Sequence, residues 1–393
     1  MNLAAQVQRM IKTTALVLSV MLCYTAVTDC QLNARTEINI PDIGRYKTLK
    51  CDFHMHTVFS DGSVWPTVRA EEVWCEGLDA LSITDHIEYL PHKSDMVIDF
   101  HRPYEIAKPV AESLNLIIIK GTEITRAEPM GHHNALFLSD VNLVDTPDSL
   151  DAIKAAAEQG AFIFWNHPGW KRPDGRAVWS PAQVEIFGNG WLHGIEVVNG
   201  FDYYPNAHAW CIEKKLTMMC STDVHAPINQ SYDLSGNNHR PMTLVFVQEV
   251  SEKGIKDALF KRRTAVYFKN TLIGEEEYLK PIFDESIEIL TKNITINGKG
   301  RANIQIHNIS DVSYELVMEQ TGGETEQLIT IPANITLYAN KTVILPVRGV
   351  SVSLSGMKNI KMQYRVTNLL VAPDEYLQVE IPIKVTFVPV ANN

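Results

Sequence analysis

Basic residues are scarce in this 393-residue chain: 35 lysines and arginines stand against 46 aspartates and glutamates, a formal net charge of −11. Broad binding along a phosphate backbone needs a basic face, so no nucleic-acid partner is expected. One small anionic substrate remains compatible, because metal ions outweigh global charge locally. Cysteine is also sparse. All six cysteines lie at or before Cys220 and no C-x-x-C spacing occurs, which leaves a zinc ribbon or a thioredoxin-type site unsupported. The apolar run "TTALVLSVMLCYTAV" follows Arg9 and Lys12; it has the length of a signal-peptide core and is short for a membrane span. Residues 1–30 therefore read as an export signal, giving a periplasmic or secreted protein with no stable membrane span after cleavage. Cys23 and Cys30 admit a lipoprotein anchor, which Leu22 and Asp29 disfavour as residues for the preceding position. Export permits disulfides, but no pairing is assigned.

Histidine and tryptophan are almost missing from the last third. Of 13 histidines only His307 lies beyond His239, and all seven tryptophans precede Cys211. The chemistry is thus concentrated in the first part, where short apolar runs ("LKCDFHMH", "DALSITDH", "LIIIKGTEI", "HNALFL", "AFIFWNHP", "GIEVVNG", "TMMCSTDVH") alternate with helical segments such as "PTVRAEEVWCEG" and "SLDAIKAAAEQG". Repeated strand-then-helix predicts an α/β domain over 45–275 with a parallel sheet, open or closed into a barrel. From about Asn293 the period changes to two, with Asn-Gly and Gly-Gly turns, predicting an all-β sandwich over 291–393. Residues 276–290, acidic and proline-bearing, read as the linker. The β domain carries no cluster of catalytic residue types; it is read as a stabilising appendage, with substrate gating or oligomer contact as the alternatives.

Nearly every strand candidate of the first domain ends in a residue able to bind metal. His54 and His56 close the first, Asp85 and His86 the second and Glu123 the third. His132 and His133 border the next, His167 ends "FIFWNH", and Asp223 and His225 end the last. Carboxyl ends of strands build the active sites of such sheets. Residues i and i+2 of a strand face one side about 6.6 Å apart, so His54 and His56 can address one ion at about 2.0–2.1 Å. Asp223 and His225 repeat the spacing. Asp61, ahead of Gly62, is either a ligand or the former of an Asx turn.

The ordered set His54-Met55-His56-Thr57, Ser60-Asp61-Gly62, Thr84-Asp85-His86, Glu123, Asn166-His167-Pro168 and Asp223-Val224-His225 resembles the PHP (polymerase and histidinol phosphatase) family over roughly residues 48–270. The resemblance implies a distorted (β/α)7-type barrel holding two or three divalent ions, with zinc, manganese and iron all suited to the donors. It assigns His54, His56, Glu123 and Asp223 to the first ion. The second shares Glu123 and takes His132 with His167; His132 is favoured over His133 because related sequences look like "GHxN". The third takes Asp61, His86 and His225.

Such ions lower the pKa of bound water and clamp attacking and leaving oxygens, chemistry that suits hydrolysis of a small organic phosphate ester by a metal-bound hydroxide under Glu123. Similarity to exported members of the family favours a diester over a monoester. Lys171, Arg172 or Arg176 is placed to meet the phosphate, Arg172 being selected, and His193 is the candidate general acid, with a structural role as its alternative. Glu196 is read as supporting the ligands or paired in the core. Trp65, Trp170, Trp179 and Tyr203 are candidates to line the pocket. The competing readings are amidohydrolase-like cleavage of an amide or carbamate on the same scaffold, and a non-catalytic metal-dependent binding module. Oligomeric state is not legible.

Overall fold

A strand followed by a helix long enough to cross back over the sheet delivers the next strand parallel, whereas a short connection reverses it. In a computed structural model, which describes residues 34–236, 238–319 and 327–391, β1 (Lys47–Asp52), β2 (Ala80–Ile83) and β3 (Ile117–Thr125) are parallel neighbours, connected through α1 (Pro66–Cys75) and α2 (Arg102–Ser113). The exception follows. Only residues 126–131 separate β3 from β4 (His132–Leu136), too few for a crossover, and β4 runs antiparallel between β3 and β5 (Phe162–Trp165). After α3 (Ser149–Glu158) and β5, the helices α4 (Pro181–Gly188) and α5 (Pro205–Lys214) restore parallel pairing to β6 (Gly194–Asn199) and β8 (Thr217–Ser221), with the short β7 (Asp202–Tyr203) at the edge. The regular strand–helix repeat expected from the sequence is therefore interrupted at β4, and again by the antiparallel β7.

The sheet curls until the continuations of β1 and β8 meet. Met55 and Val224 form a parallel bridge, the His56 N–H donates to the Val224 carbonyl (3.0 Å), and the Asp223 N–H donates to the His54 carbonyl (2.9 Å). Beyond α6 (Ile228–Ser231), β9 (Met242–Val247) lies antiparallel to β1, and past α7 (Glu252–Phe260), β10 (Thr264–Phe268) lies antiparallel to β9.

Residues 276–290 are not an open linker. After β11 (Thr271–Gly274) they form α8 (Glu276–Ser286) and β12 (Ile287–Ile289). Glu276 and Glu277 occupy the first turn of α8, where the helix dipole favours them, while Tyr278, Leu279, Ile282 and Phe283 are buried at helical spacing. β11 pairs in parallel with β19 (Gly356–Ala372), Leu272 opposite Leu369 and Ile273 opposite Leu370, so one sheet runs from the α/β domain into the C-terminal domain. There β13 (Asn293–Asn297), β20 (Glu375–Val388), β19, β15 (Tyr314–Met318) and β17 (Asn334–Leu337) continue that sheet. A second sheet holds β12, β14 (Arg301–Asn308), β18 (Thr342–Gly349) and β16 (Ile329–Thr330). Alternating residues such as Ile304, Ile306, Ile360 and Met362 share one core with Leu81, Met242 and Leu272 of the first domain.

The export signal expected over residues 1–30 lies outside the described residues. No described helix is long and apolar enough to cross a membrane.

Candidate metal centre

Strand polarity gathers the candidate residues at one end of the sheet. His54 and His56 continue β1, His86 follows β2, Glu123 lies near the end of β3, His167 follows β5, and Asp223 with His225 follows β8. β4 contributes from its start because it runs the other way. Its register sets Glu123 opposite Asn134 and Thr125 opposite His132, so His132 shares the Glu123 face while His133 shares the face of Ile124. His133 turns away to Gln183 of α4, 3.2 Å off, and burial pushes its pKa down to about 4.

Nine side chains converge. His54 Nε2 lies 3.3 Å from Glu123 Oε2 and 3.2 Å from Asp223 Oδ1; His56 Nε2 lies 3.3 and 3.0 Å from the same two oxygens. A tetrahedral ion with donors at about 2.0–2.1 Å separates them by about 3.3 Å, close to these spacings. Glu123 turns its other oxygen, Oε1, to His132 Nδ1 at 2.7 Å and His167 Nε2 at 3.7 Å, so one carboxylate faces two donor sets. The third group centres on Asp61 Oδ1, which lies 3.3 Å from His86 Nε2 and 3.2 Å from His225 Nε2. His167 and Asp223 both hold left-handed backbone (φ 27° and 54°), a strained state for residues other than glycine and one concentrated at functional sites.

Polar partners behind the cluster orient the rings. Glu196 Oε1 meets His54 Nδ1 at 2.8 Å, and its other oxygen accepts from the His167 N–H (2.7 Å) and from Asn199 (2.8 Å). The Asp223 carbonyl meets His225 Nδ1 at 2.7 Å, directing Nε2 toward Asp61. Asp85 is not a donor to the cluster: it accepts from the Thr57 N–H (2.6 Å), the Thr57 hydroxyl and the Ser60 hydroxyl (2.7 Å), and so shapes the loop that presents Asp61. Asn134 and Asn166 exchange amide hydrogen bonds beneath the cluster.

Burial alone would neutralise these carboxylates, yet all three are held ionised. Attraction to the neighbouring His225 and His86 rings outweighs burial at Asp61, the charges of His86 and His54 do so at Glu123, and His54 and His56 do so at Asp223. Conversely burial opposes the charge on His86, but Glu123 and Asp61 drive its pKa up to about 10. The pocket therefore attracts cations. His56 Nε2 and Asp61 Oδ1 are buried without a hydrogen-bond partner, and among the described residues four groups of three or four donor atoms lie within 4.8 Å of one another. Imidazole and carboxylate donors so arranged fit divalent metal ions.

One expected residue stands elsewhere. His193 precedes β6, at the end of the strands opposite the cluster; its ring accepts from the Ile163 N–H (3.0 Å), packs against Phe162 and Phe260, and is pushed by burial to a pKa of about 4. The general-acid role expected for His193 is thereby corrected to that of a core histidine. Arg172, expected as the phosphate contact, pairs with Glu128 at 3.0 Å. The cation this loop sets beside the cluster is Lys171, whose ammonium lies 3.8 Å from the ring centre of Trp170; that ring in turn packs on His132 and His167. Of the other aromatic candidates, Trp65 packs on Phe59, Trp179 packs among Trp165, Phe187 and Trp210, and Tyr203 bonds His208. Tyr89, unremarked in the sequence, is 54% exposed beside His86.

A known structure shares this architecture. A two-domain protein from Bacteroides vulgatus, described as containing a predicted PHP-like metal-dependent phosphoesterase, is 43% identical, with a TM-score of 0.83 over 90% of this chain and 100% of that one. A proposed metal-dependent phosphoesterase from Bifidobacterium adolescentis is 17% identical over 54% of this chain and 96% of its own, with a TM-score of 0.38. An amidohydrolase from Chromobacterium violaceum is 15% identical over 45% and 88%, with a TM-score of 0.34. The family model DUF5001, an Ig-like domain, matches residues 287–382. No curated protein matches.

Proposed function

The chain belongs to the PHP-like metal-dependent phosphoesterases, and from that premise we propose that it hydrolyses a small organic phosphodiester, using two or three divalent ions held by the nine clustered side chains. His54, His56, Glu123 and Asp223 would hold the first, Glu123, His132 and His167 the second, and Asp61, His86 and His225 the third. Bound there, the ions would supply Lewis acidity, acidifying water to a hydroxide nucleophile and offsetting charge on the phosphoryl oxygens. Glu123 joins two donor sets through its two oxygens. Glu196 keeps His54 turned so that Nε2, not Nδ1, faces the cluster. Lys171 offers one ammonium at the mouth; a diester carries a single phosphoryl charge and needs fewer cations than a monoester dianion. Export to the periplasm or the exterior is part of the same proposal.

The observation that carries the reading is the set of 3.0–3.3 Å separations among His54, His56, Glu123 and Asp223, which match the edges of a metal-sized polyhedron. Elemental analysis of purified protein, paired with nitrophenol release from bis(p-nitrophenyl) phosphate, p-nitrophenyl phosphate and a nitrophenyl carbamate, tests it. The expected result is bound divalent metal, fastest release from the diester, and a loss of more than about 100-fold in His54→Ala. Preferential carbamate cleavage would transfer the assignment to amidohydrolase-type chemistry.

A further inference from the structure

Two arginines, Arg69 and Arg240, are completely buried beneath the cluster. Arg69, from α1, donates through Nε to the His56 carbonyl (2.9 Å), through Nη2 to the Val224 carbonyl (3.0 Å) and through Nη1 to the Ala226 carbonyl (3.0 Å). Arg240 donates through Nη2 to Asp52 Oδ2 (2.6 Å) and to the Thr222 hydroxyl (3.1 Å). Asp52 in turn accepts from the His54 N–H (3.2 Å) and the Thr222 N–H (3.3 Å). Glu72 and Glu76 balance the two guanidinium groups at 2.7 and 2.9 Å. Each arginine therefore spans the gap between the β1 segment and the loop after β8: Arg69 grips backbone carbonyls on both sides, and Arg240 grips side chains, the Asp52 carboxylate and the Thr222 hydroxyl.

We infer that Arg69 and Arg240 are positioning residues that set the spacing between the two segments carrying His54, His56, Asp223 and His225. The inference rests on reading the cluster as a metal centre. Stability alone is a poor explanation for the arrangement, because burying these five charges costs about as much as their pairing returns, and apolar replacements of such pairs are often neutral or stabilising. What the arginine fork supplies is several donors in one rigid plane, able to hold carbonyls or carboxylates of both segments at once. Lysine, a point charge, keeps the ionic balance but not this span.

The test uses Co2+ as probe on wild type, Arg69→Lys, Arg240→Lys and the corresponding methionine variants. Co2+ affinity and the visible spectrum are read beside urea unfolding of the metal-free proteins. The lysine variants should fold with near-normal midpoints, bind Co2+ about 10–100-fold more weakly and show altered band intensities. Wild-type affinity and spectrum in both lysine variants would overturn the inference while leaving the metal centre intact. Failure of all four variants to fold would also overturn it, since the arginines would then serve folding rather than ligand spacing. A wild type that binds no Co2+ would sink the metal reading and this inference together.

Discussion

His132 and His133 are adjacent and chemically identical, yet one enters the cluster and the other a dry core. His132→Ala should remove at least one equivalent of bound metal and cut kcat/KM by more than about 100-fold, with little change in the urea midpoint. His133→Ala should keep its metal and lose about 1–3 kcal/mol of stability, because it breaks the bond to Gln183 and opens a buried site. Metal content and unfolding of the two variants side by side check this. The choice between them was legible only by analogy, since it depends on the β3–β4 register, which the six residues 126–131 determine and composition does not reveal. The pair His54 and His56 was easier to read, because strand alternation alone puts both on one face. Asp52, Arg69 and Arg240 were opaque: their roles arise from contacts across more than 150 residues in several cases.

A histidine outside the cluster carries a pH prediction. His208 is fully buried and pushed by burial to a pKa of about 4, whereas an unfolded chain titrates it near 6.5. Its neutral form is thus favoured by the fold. The stability this contributes is complete above pH 6.5 and is lost as pH falls toward 4, because the unfolded chain takes up the proton first. Between pH 7 and 5 the loss amounts to roughly 2 kcal/mol. His208→Asn, which keeps a partner for Tyr203, should lose about that much less than wild type over the same interval in urea titrations of metal-free protein. Equal losses in both proteins would refute the assignment.

At the scale of elements, the loop from Thr57 to Gly62 shows how a turn becomes part of a binding site. The Gly62 N–H and the Ser60 N–H both donate to the Thr57 carbonyl, and a Cβ on Gly62 would fall 2.6 Å from the His56 carbonyl carbon and the Thr57 nitrogen. Backbone cannot rotate aside as a side chain can. Gly62→Ala should therefore cost about 1–3 kcal/mol and weaken the Asp61, His86 and His225 donor set more than the His54 and His56 set. Stepwise metal titration followed by elemental analysis measures the difference. The "SDG" turn was plain in the sequence, whereas α8 was not. Its acidic start and Pro281 imitate a linker, although Tyr278, Leu279, Ile282 and Phe283 already carry the helical period that buries them.

For the whole molecule, the consequence of α8 and of the β11–β19 pairing is that the metal-bearing domain has no free boundary near residue 275. Cutting there removes the strand opposite Leu272 and Ile273 and strips the cover of α8 from the first domain. It also takes away the Ser313 N–H and carbonyl that pair with the Asn270 side chain, and the Asn368 amide bound to the Asn270 carbonyl. β11 would become an exposed apolar edge, a template for association between chains. A chain spanning residues 36–275 should accordingly be recovered mostly as aggregate. Any soluble fraction should unfold at a lower urea concentration than residues 36–391, by several kcal/mol of stability, given about 1.5–3 kcal/mol for each large apolar side chain re-exposed. Metal affinity measured on that soluble fraction should stay close to that of the full chain, because all nine clustered residues precede the cut. A fragment that is monomeric and as stable as the full chain would show that the continuous sheet is a contact of convenience. A fragment that is stable but has lost its metal would instead mean that the Ig-like domain acts on the centre through the β11 edge.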